Sequence, residues 1–174
     1  MLYRLLELKI SYLGKLIDDL TAAKKEIDQW IKKYPEDWKS SAVMQALKIV
    51  QKENNNFLTE ELINDVASYL DMPPIAVAEV ATFYENFNHK PVGKHVIRFC
   101  HTISCMLNGA DDLIKYTEKK IGAKVGEVSK DGLVSIKKVE CLGACRHAPM
   151  FQIDDKYYED LTKEKIDVIL EGLK

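Results

Sequence analysis

Long apolar runs are missing from this chain, and so is an excess of charge of either sign. Twenty-five basic against 27 acidic side chains leave a net charge of −2, which gives no general reason to bind nucleic acid or an anionic membrane. No uncharged stretch approaches the roughly 18 apolar residues of a spanning helix, so direct membrane insertion is not expected. The longest such stretch, Phe99–Ala110, is interrupted by His101, Thr102, Ser104 and Asn108. The opening MLYRLLELKI is amphipathic but carries Glu7 early. It has neither the clean apolar centre and cleavage site of a secretory leader nor the acid-poor, Arg- and Ser-rich look of a transit peptide. A mature, soluble protein of a reducing compartment is the expectation. There is no G-x-G-x-x-G fingerprint and no Walker loop, so nucleotide chemistry is expected on some other polypeptide. Internal repeats and low-complexity segments are also lacking. Cysteine is scarce, with four in 174 residues, too few for a disulfide scaffold.

What is present is an ordinary globular composition, 47% hydrophobic and 30% charged. Residues 1–90 read as helical throughout. Leu13, Leu16, Ile17, Leu20, Ile27, Trp30 and Ile31 recur at three- and four-residue steps, up to Pro35. A second helix is predicted from Ser40 or Ser41, presenting Val43, Ala46, Leu47 and Val50 and interrupted by Asn54–Asn56. Thr59 is placed to cap a third, with Glu60 and Glu61 in its first turn and Leu62, Ile63, Val66 and Leu70 buried. Pro73 and Pro74 open a fourth, carrying Ile75, Val77, Val80 and Phe83. Short connections make this a helical bundle.

The pattern changes at Pro91-Val92-Gly93. His95–Phe99 reads as a strand ending at Cys100, Asn108–Ile121 as a helix, and Lys124–Val128 as a short strand. Leu133–Val139 forms a further strand, Met150–Ile153 another with a return through Lys156–Tyr158, and Thr162 caps a final helix. The order β-α-β-β-β-α belongs to a small α+β domain with helices on a mixed sheet.

The four cysteines fall in two close pairs, CHTISC at 100–105 and CLGAC at 141–145, with 35 residues between them. Each pair follows a predicted strand, where a turn can hold two thiols together with free N–H groups pointing inward, a lining that suits a sulfur-ligated cluster. Gly143 permits a tight backbone there. C-x4-C and C-x3-C also lie within the spacing used by structural zinc, so spacing alone leaves zinc and an iron–sulfur cluster open. Disulfides fit a reducing compartment poorly, and without C-x-x-C a dithiol redox site has little support.

Several segments extend the reading: AVMQALKIVQKEN at 42–54, MPPIAVAEVATFYENFN at 72–88, KPVG at 90–93, CHTISCMLNGADD at 100–112, VECLGAC at 139–145 and APMFQIDDKYYEDLT at 148–162. In these the chain resembles the small iron–sulfur subunit of the NADH-binding module of respiratory complex I, NADH:quinone oxidoreductase. The resemblance implies an α+β chain with an N-terminal helical bundle, 1–90, and a thioredoxin-like [2Fe–2S] ferredoxin domain, 91–174. It implies one [2Fe–2S] cluster on Cys100, Cys105, Cys141 and Cys145, and no catalysis by this chain alone. It implies a heterodimeric partner that binds FMN and NADH, further peripheral-arm subunits, and a place on the cytoplasmic side of a bacterial inner membrane. Similar subunits serve NAD-linked formate dehydrogenases and hydrogenases, and a zinc-stabilised interaction module is the alternative of a different class. The first 20 or so residues have no counterpart in the family, and Arg146-His147 stands where uncharged residues are expected.

Two ferric ions, two sulfides and four thiolates sum formally to about −2, and to −3 after one-electron reduction. Arg98, His101, Arg146 and His147 flank the ligands in sequence, and any cation close to such a centre favours its reduced state. The plainer expectation for His101 and His147 is an outer or exposed position, because four cysteines already saturate the site. Val77, Val80, Phe83 and Phe87 read as core rather than a docking stripe. Tyr157 and Tyr158 read as partly buried strand residues. Lys115, Lys119 and Lys120 read as a solvated helix face.

Overall fold

Proline and threonine punctuate the first half of the chain. The computed structural model describes residues 23–173, so the amphipathic stretch Leu2–Leu20 lies outside the described residues. The chain divides after Pro91 into two compact units.

In the first unit α1 (23–31) buries Ala23 and Ile27. A 3₁₀ helix, Glu36–Ala42, follows Pro35. It corrects the expected onset at Ser40 or Ser41, because α2 (Val43–Glu53) has Ala42 at its N-cap with no side-chain bond. The 3₁₀ turn already offers carbonyls to the first N–H groups of α2, as Val43 N–H donates to Ser40 O, and no serine cap is needed. The third helix α3 (Glu60–Leu70) begins as the sequence predicts, with the Thr59 hydroxyl accepting from Leu62 N–H at 3.3 Å. The fourth, α4 (Pro74–Phe83), starts at the expected proline. Leu47, Leu58, Leu62, Val66, Leu70, Val77 and Phe87 share one apolar core. Buried Gln51 ties the chain after α4 back to α2: its amide donates to Asn86 O at 3.1 Å and accepts from Asn88 N–H at 2.7 Å. Phe83 departs from expectation. It is 78% exposed and meets Tyr84 edge-on at 5.0 Å, because only Val77 and Ala81 of α4 are buried.

The second unit is a four-stranded sheet in the order β2-β1-β3-β4, formed by β1 (His95–Cys100), β2 (Val134–Val139), β3 (Phe151–Ile153) and β4 (Lys156–Tyr158). β1 and β2 run parallel, and the other pairs are antiparallel. A parallel pair needs a long crossover, supplied by α5 (Ile103–Leu107) and α6 (Ala110–Ile121). Ile97, Phe99, Ile136, Phe151 and Ile153 face Leu113 and Ile114 of α6 and Ile166 of α7 (Lys163–Glu171), so both helices lie over one face. Thr162 caps α7 as the sequence predicts, accepting from Lys165 N–H at 3.3 Å. At Gly93 a Cβ would fall 2.6 Å from the Val134 carbonyl carbon, so only glycine lets the chain enter β1 this close to β2.

The helix predicted over Asn108–Ile121 forms as α6, preceded by an unpredicted short α5 from which Gly109, φ +87°, separates it. One sequence expectation changes here. The strand predicted at Lys124–Val128 is instead a turn around Gly126, φ +87°, with Lys124 N–H bonded to the Glu127 carboxylate; only Val128 bridges to β2.

Candidate metal centre

The parallel register brings the two cysteine segments together. Cys100 pairs with Val139, so the loops leaving the C-terminal ends of β1 and β2 start side by side, and His101 N–H donates to Val139 O at 3.3 Å. Strand alternation turns Cys100 away from Phe99 and the main core. Its surroundings are a separate small cluster with Cys105, Ala110 and Met150. Cys105 rides on α5, Cys141 sits in the loop after β2, and Cys145 opens a 3₁₀ turn, Cys145–His147. The second loop is tied to α5 by the Ser104 hydroxyl, which donates to Cys145 O at 3.1 Å.

The thiols stand in two unlike pairs. Cys100 and Cys105 are buried, whereas Cys141 and Cys145 are exposed with their sulfurs 3.9 Å apart. Three of the sulfurs meet neighbouring backbone N–H groups: Cys141 that of Gly143 at 3.3 Å, Cys100 those of Leu142 and Thr102, and Cys105 that of Met150. Gly143 reaches this position with φ +83° and open space around it, so the backbone angle, not close approach, requires glycine. The Ala148–Pro149 peptide bond beside the site is cis.

Protonation follows from this arrangement. Burial opposes ionisation of Cys100, but the Thr102 hydroxyl and the N–H groups of Leu142 and Thr102 outweigh it and hold the thiol below its usual range. Burial, the hydrogen bond to Cys100 and the charges of Cys100 and Cys145 push Cys105 up to about 11 against the help of Met150 N–H. Cys141, as hydrogen-bond partner and as a neighbouring charge, pushes Cys145 up. Two thiolates this close repel each other, so full ionisation of either pair needs cations beside it. Four soft sulfur donors lined with N–H groups therefore fit an iron–sulfur centre. Among the described residues no three His, Cys, Asp or Glu side chains converge on one point as a single ion demands.

The flanking cations are elsewhere. Arg98 lies in β1 opposite Lys137 and Gln152, and burial lowers its pKa while the charges of Asp154 and Asp155 at the hairpin turn oppose it. The His147 ring contacts Asp160 at 3.1 Å, His101 lies near the Asp111 carboxylate, and Arg146 is exposed. Tyr157 is exposed rather than partly buried, while Tyr158 packs against Phe151. Lys115, Lys119 and Lys120 are exposed as expected, and Lys120 also pairs with Asp167 at 3.0 Å. Sequence reasoning missed Thr102, Ser104 and the donors on Leu142 and Met150. Only the hydroxyls inside CHTISC offered a signal.

A four-stranded mixed sheet with helices on one face, and four thiols in two pairs at the C-terminal ends of β1 and β2, defines a thioredoxin-like domain suited to a thiolate-ligated cluster. The sequence model of the thioredoxin-like [2Fe–2S] ferredoxin family matches residues 27–174, and the chain belongs to that family. It is 48% identical over 144 residues to an NADH-quinone oxidoreductase subunit of Rickettsia bellii, spanning 83% of this chain and 86% of the relative. The corresponding subunit of Rickettsia conorii is 44% identical over 161 residues, spanning 91% and 96%. Among solved structures, an NAD+-reducing [NiFe]-hydrogenase in its air-oxidised state aligns with a TM-score of 0.57 at 20% identity over 65% of this chain. The chain spans only 20% of that hydrogenase polypeptide, and the likeness is one of fold. No described helix is long and apolar enough to cross a membrane.

Proposed function

We propose that Cys100, Cys105, Cys141 and Cys145 hold one [2Fe–2S] cluster, and that the chain is the electron-transfer subunit of an NADH:quinone oxidoreductase. The observation that carries this reading is the in-register parallel pairing of β1 and β2, which sets both thiol pairs at one end of the sheet in a chain of this family. When bound, the cluster accepts and returns one electron at a time. The chain's own residues hold the four sulfurs in place, line them with N–H groups and bury one pair from water. FMN and NADH belong to the partner subunit, since no nucleotide fingerprint occurs here.

The names of the relatives support a place in a multi-subunit complex, and the family resemblance adds that partner, further subunits of a peripheral arm and the cytoplasmic side of a bacterial inner membrane. Ile103 and Leu107 of α5, 73% and 77% exposed beside buried Cys105, give an apolar rim that such a partner would cover. Relatives at 44–48% identity favour the quinone-linked complex over a hydrogenase likened at 20% or a formate dehydrogenase. A zinc module is disfavoured because the chain belongs to a family of [2Fe–2S] ferredoxins.

The test is low-temperature EPR on anaerobically purified protein before and after dithionite, with iron and zinc analysis. A rhombic signal only on reduction, near one spin and about two irons per chain, is the expected result. Stoichiometric zinc and no signal from an iron-replete preparation would overturn it. Co-purification with a quinone-linked arm, rather than a formate- or hydrogen-oxidising subunit, decides the complex.

A further inference from the structure

Three threonines of this chain stand at helix N-caps with extended backbones: Thr59, Thr102 and Thr162. Thr59 and Thr162 use their hydroxyls as capping threonines do, each accepting a backbone N–H three residues ahead at 3.3 Å. Thr102 makes no such bond. Its Oγ1 lies instead 3.4 Å from Cys100 Sγ. A backbone that permits the ordinary cap has turned its hydroxyl to the sulfur.

Beside a neutral thiol that hydroxyl can donate or accept. A thiol that ligates metal has lost its proton, and the hydrogen left for the contact is then the one on Thr102. We propose that Thr102 is a positioning residue of the electron-transfer site, donating its O–H to the Cys100 thiolate and raising the reduction potential of the cluster. This inference rests on the cluster reading above. The redox step takes one electron from the reductant and carries the formal charge of the centre from −2 to −3. The Thr102 proton stays on its oxygen, and no bond to it breaks. Negative charge added at sulfur strengthens a hydrogen bond donated to it, so the bond stabilises the reduced state more than the oxidised one. Cys100 is singled out among the four ligands, because it alone gains a side-chain hydroxyl in addition to backbone donors.

The experiment is an EPR-monitored redox titration of the iron-loaded full chain, comparing wild type with T102V, T102A and T102S, each with its iron content. Valine keeps the shape of threonine and removes the hydroxyl; serine keeps the hydroxyl. T102V is expected to shift the one-electron equilibrium toward the oxidised state by about tenfold, ~59 mV, while T102S stays within about twofold of wild type. A T102V potential within about twofold of wild type, at full iron content, would overturn the proposal. Should T102V lose iron, the T102A and T102S pair decides by the same criterion. A wild-type protein without the reduction-dependent signal would instead overturn the cluster reading and this inference with it.

Discussion

The two units of this chain are held by different means. The helical unit closes on an apolar core of Leu47, Leu58, Leu62, Val66, Leu70 and Phe87, with a threonine cap and a buried glutamine network at its edges. The sheet unit has such a core on one face only. At its cysteine end the cluster of buried residues shrinks to Cys100, Cys105, Ala110 and Met150, and two of those four are thiols. A segment with few apolar contacts opens more easily, and metal bound only by the folded form adds its binding energy to that form. On the proposed reading the cysteine end is completed by the cluster it holds, whereas the helical unit closes on its own side chains.

The largest expected effect tests that contrast directly. Removing iron with a chelator under reducing conditions should speed amide exchange over residues 100–107 and 141–150 by on the order of 100-fold. Exchange in α2 and α3 should change little. Hydrogen-exchange mass spectrometry on loaded and stripped protein checks this. Equal protection of the cysteine end in both forms would show that its own contacts suffice.

Much of this division is legible in the sequence, and its limits have physical causes. Thr59, Thr162 and the Pro73-Pro74 pair act locally, through one capping bond or one fixed φ, and the structure places those helix starts where the sequence predicts. The cysteine spacing marks the two segments. Their meeting depends on a parallel register between residues some 40 apart, which no local pattern encodes. The five-residue α5 is too short to show a helical period, so the element that positions Cys105 stays hidden. Lys124–Val128 has strand-like residues, but Gly126 at positive φ and the Glu127 side chain close it into a turn. Phe83 fits the apolar period of α4 yet faces outward, because periodicity tells which residues share a stripe and not how wide the buried part is.

A smaller effect sharpens the comparison from the helical side. Leu47 is fully buried in the core of α2 and its neighbours. Leu47→Ala should remove about 3 kcal/mol of stability, through lost transfer energy and a residual cavity. The iron content and the reduced EPR line shape should stay those of the wild type, since no ligand or N–H donor lies in that core. Denaturant unfolding followed by circular dichroism gives the first quantity, and EPR the second. Loss of the signal at native-like stability would tie the cysteine end to the helical core.

The smallest effect concerns pH and again separates the units. In the helical unit, burial and the hydrogen bond from the Tyr69 hydroxyl to Asp28 push the Tyr69 pKa up to about 12. The folded state therefore holds the phenol proton more tightly than the unfolded chain, whose tyrosine ionises near 10. Stability from this group is complete below about pH 10 and is lost as pH rises through about 12. Its size is modest because the bond between the hydroxyl and the Asp28 carboxylate lies at the surface, where solvent screens it. Tyr69→Phe should flatten the decline in stability of α1 and α3 across that window, read as the difference between denaturation midpoints at pH 9 and pH 11.5. A decline of equal slope in the variant would mean that the phenol proton is not held by the fold. The alkaline loss would then have to come from groups of the sheet unit that also hold their protons more tightly when folded, among them Tyr116, Lys120 and, in the stripped protein, Cys105.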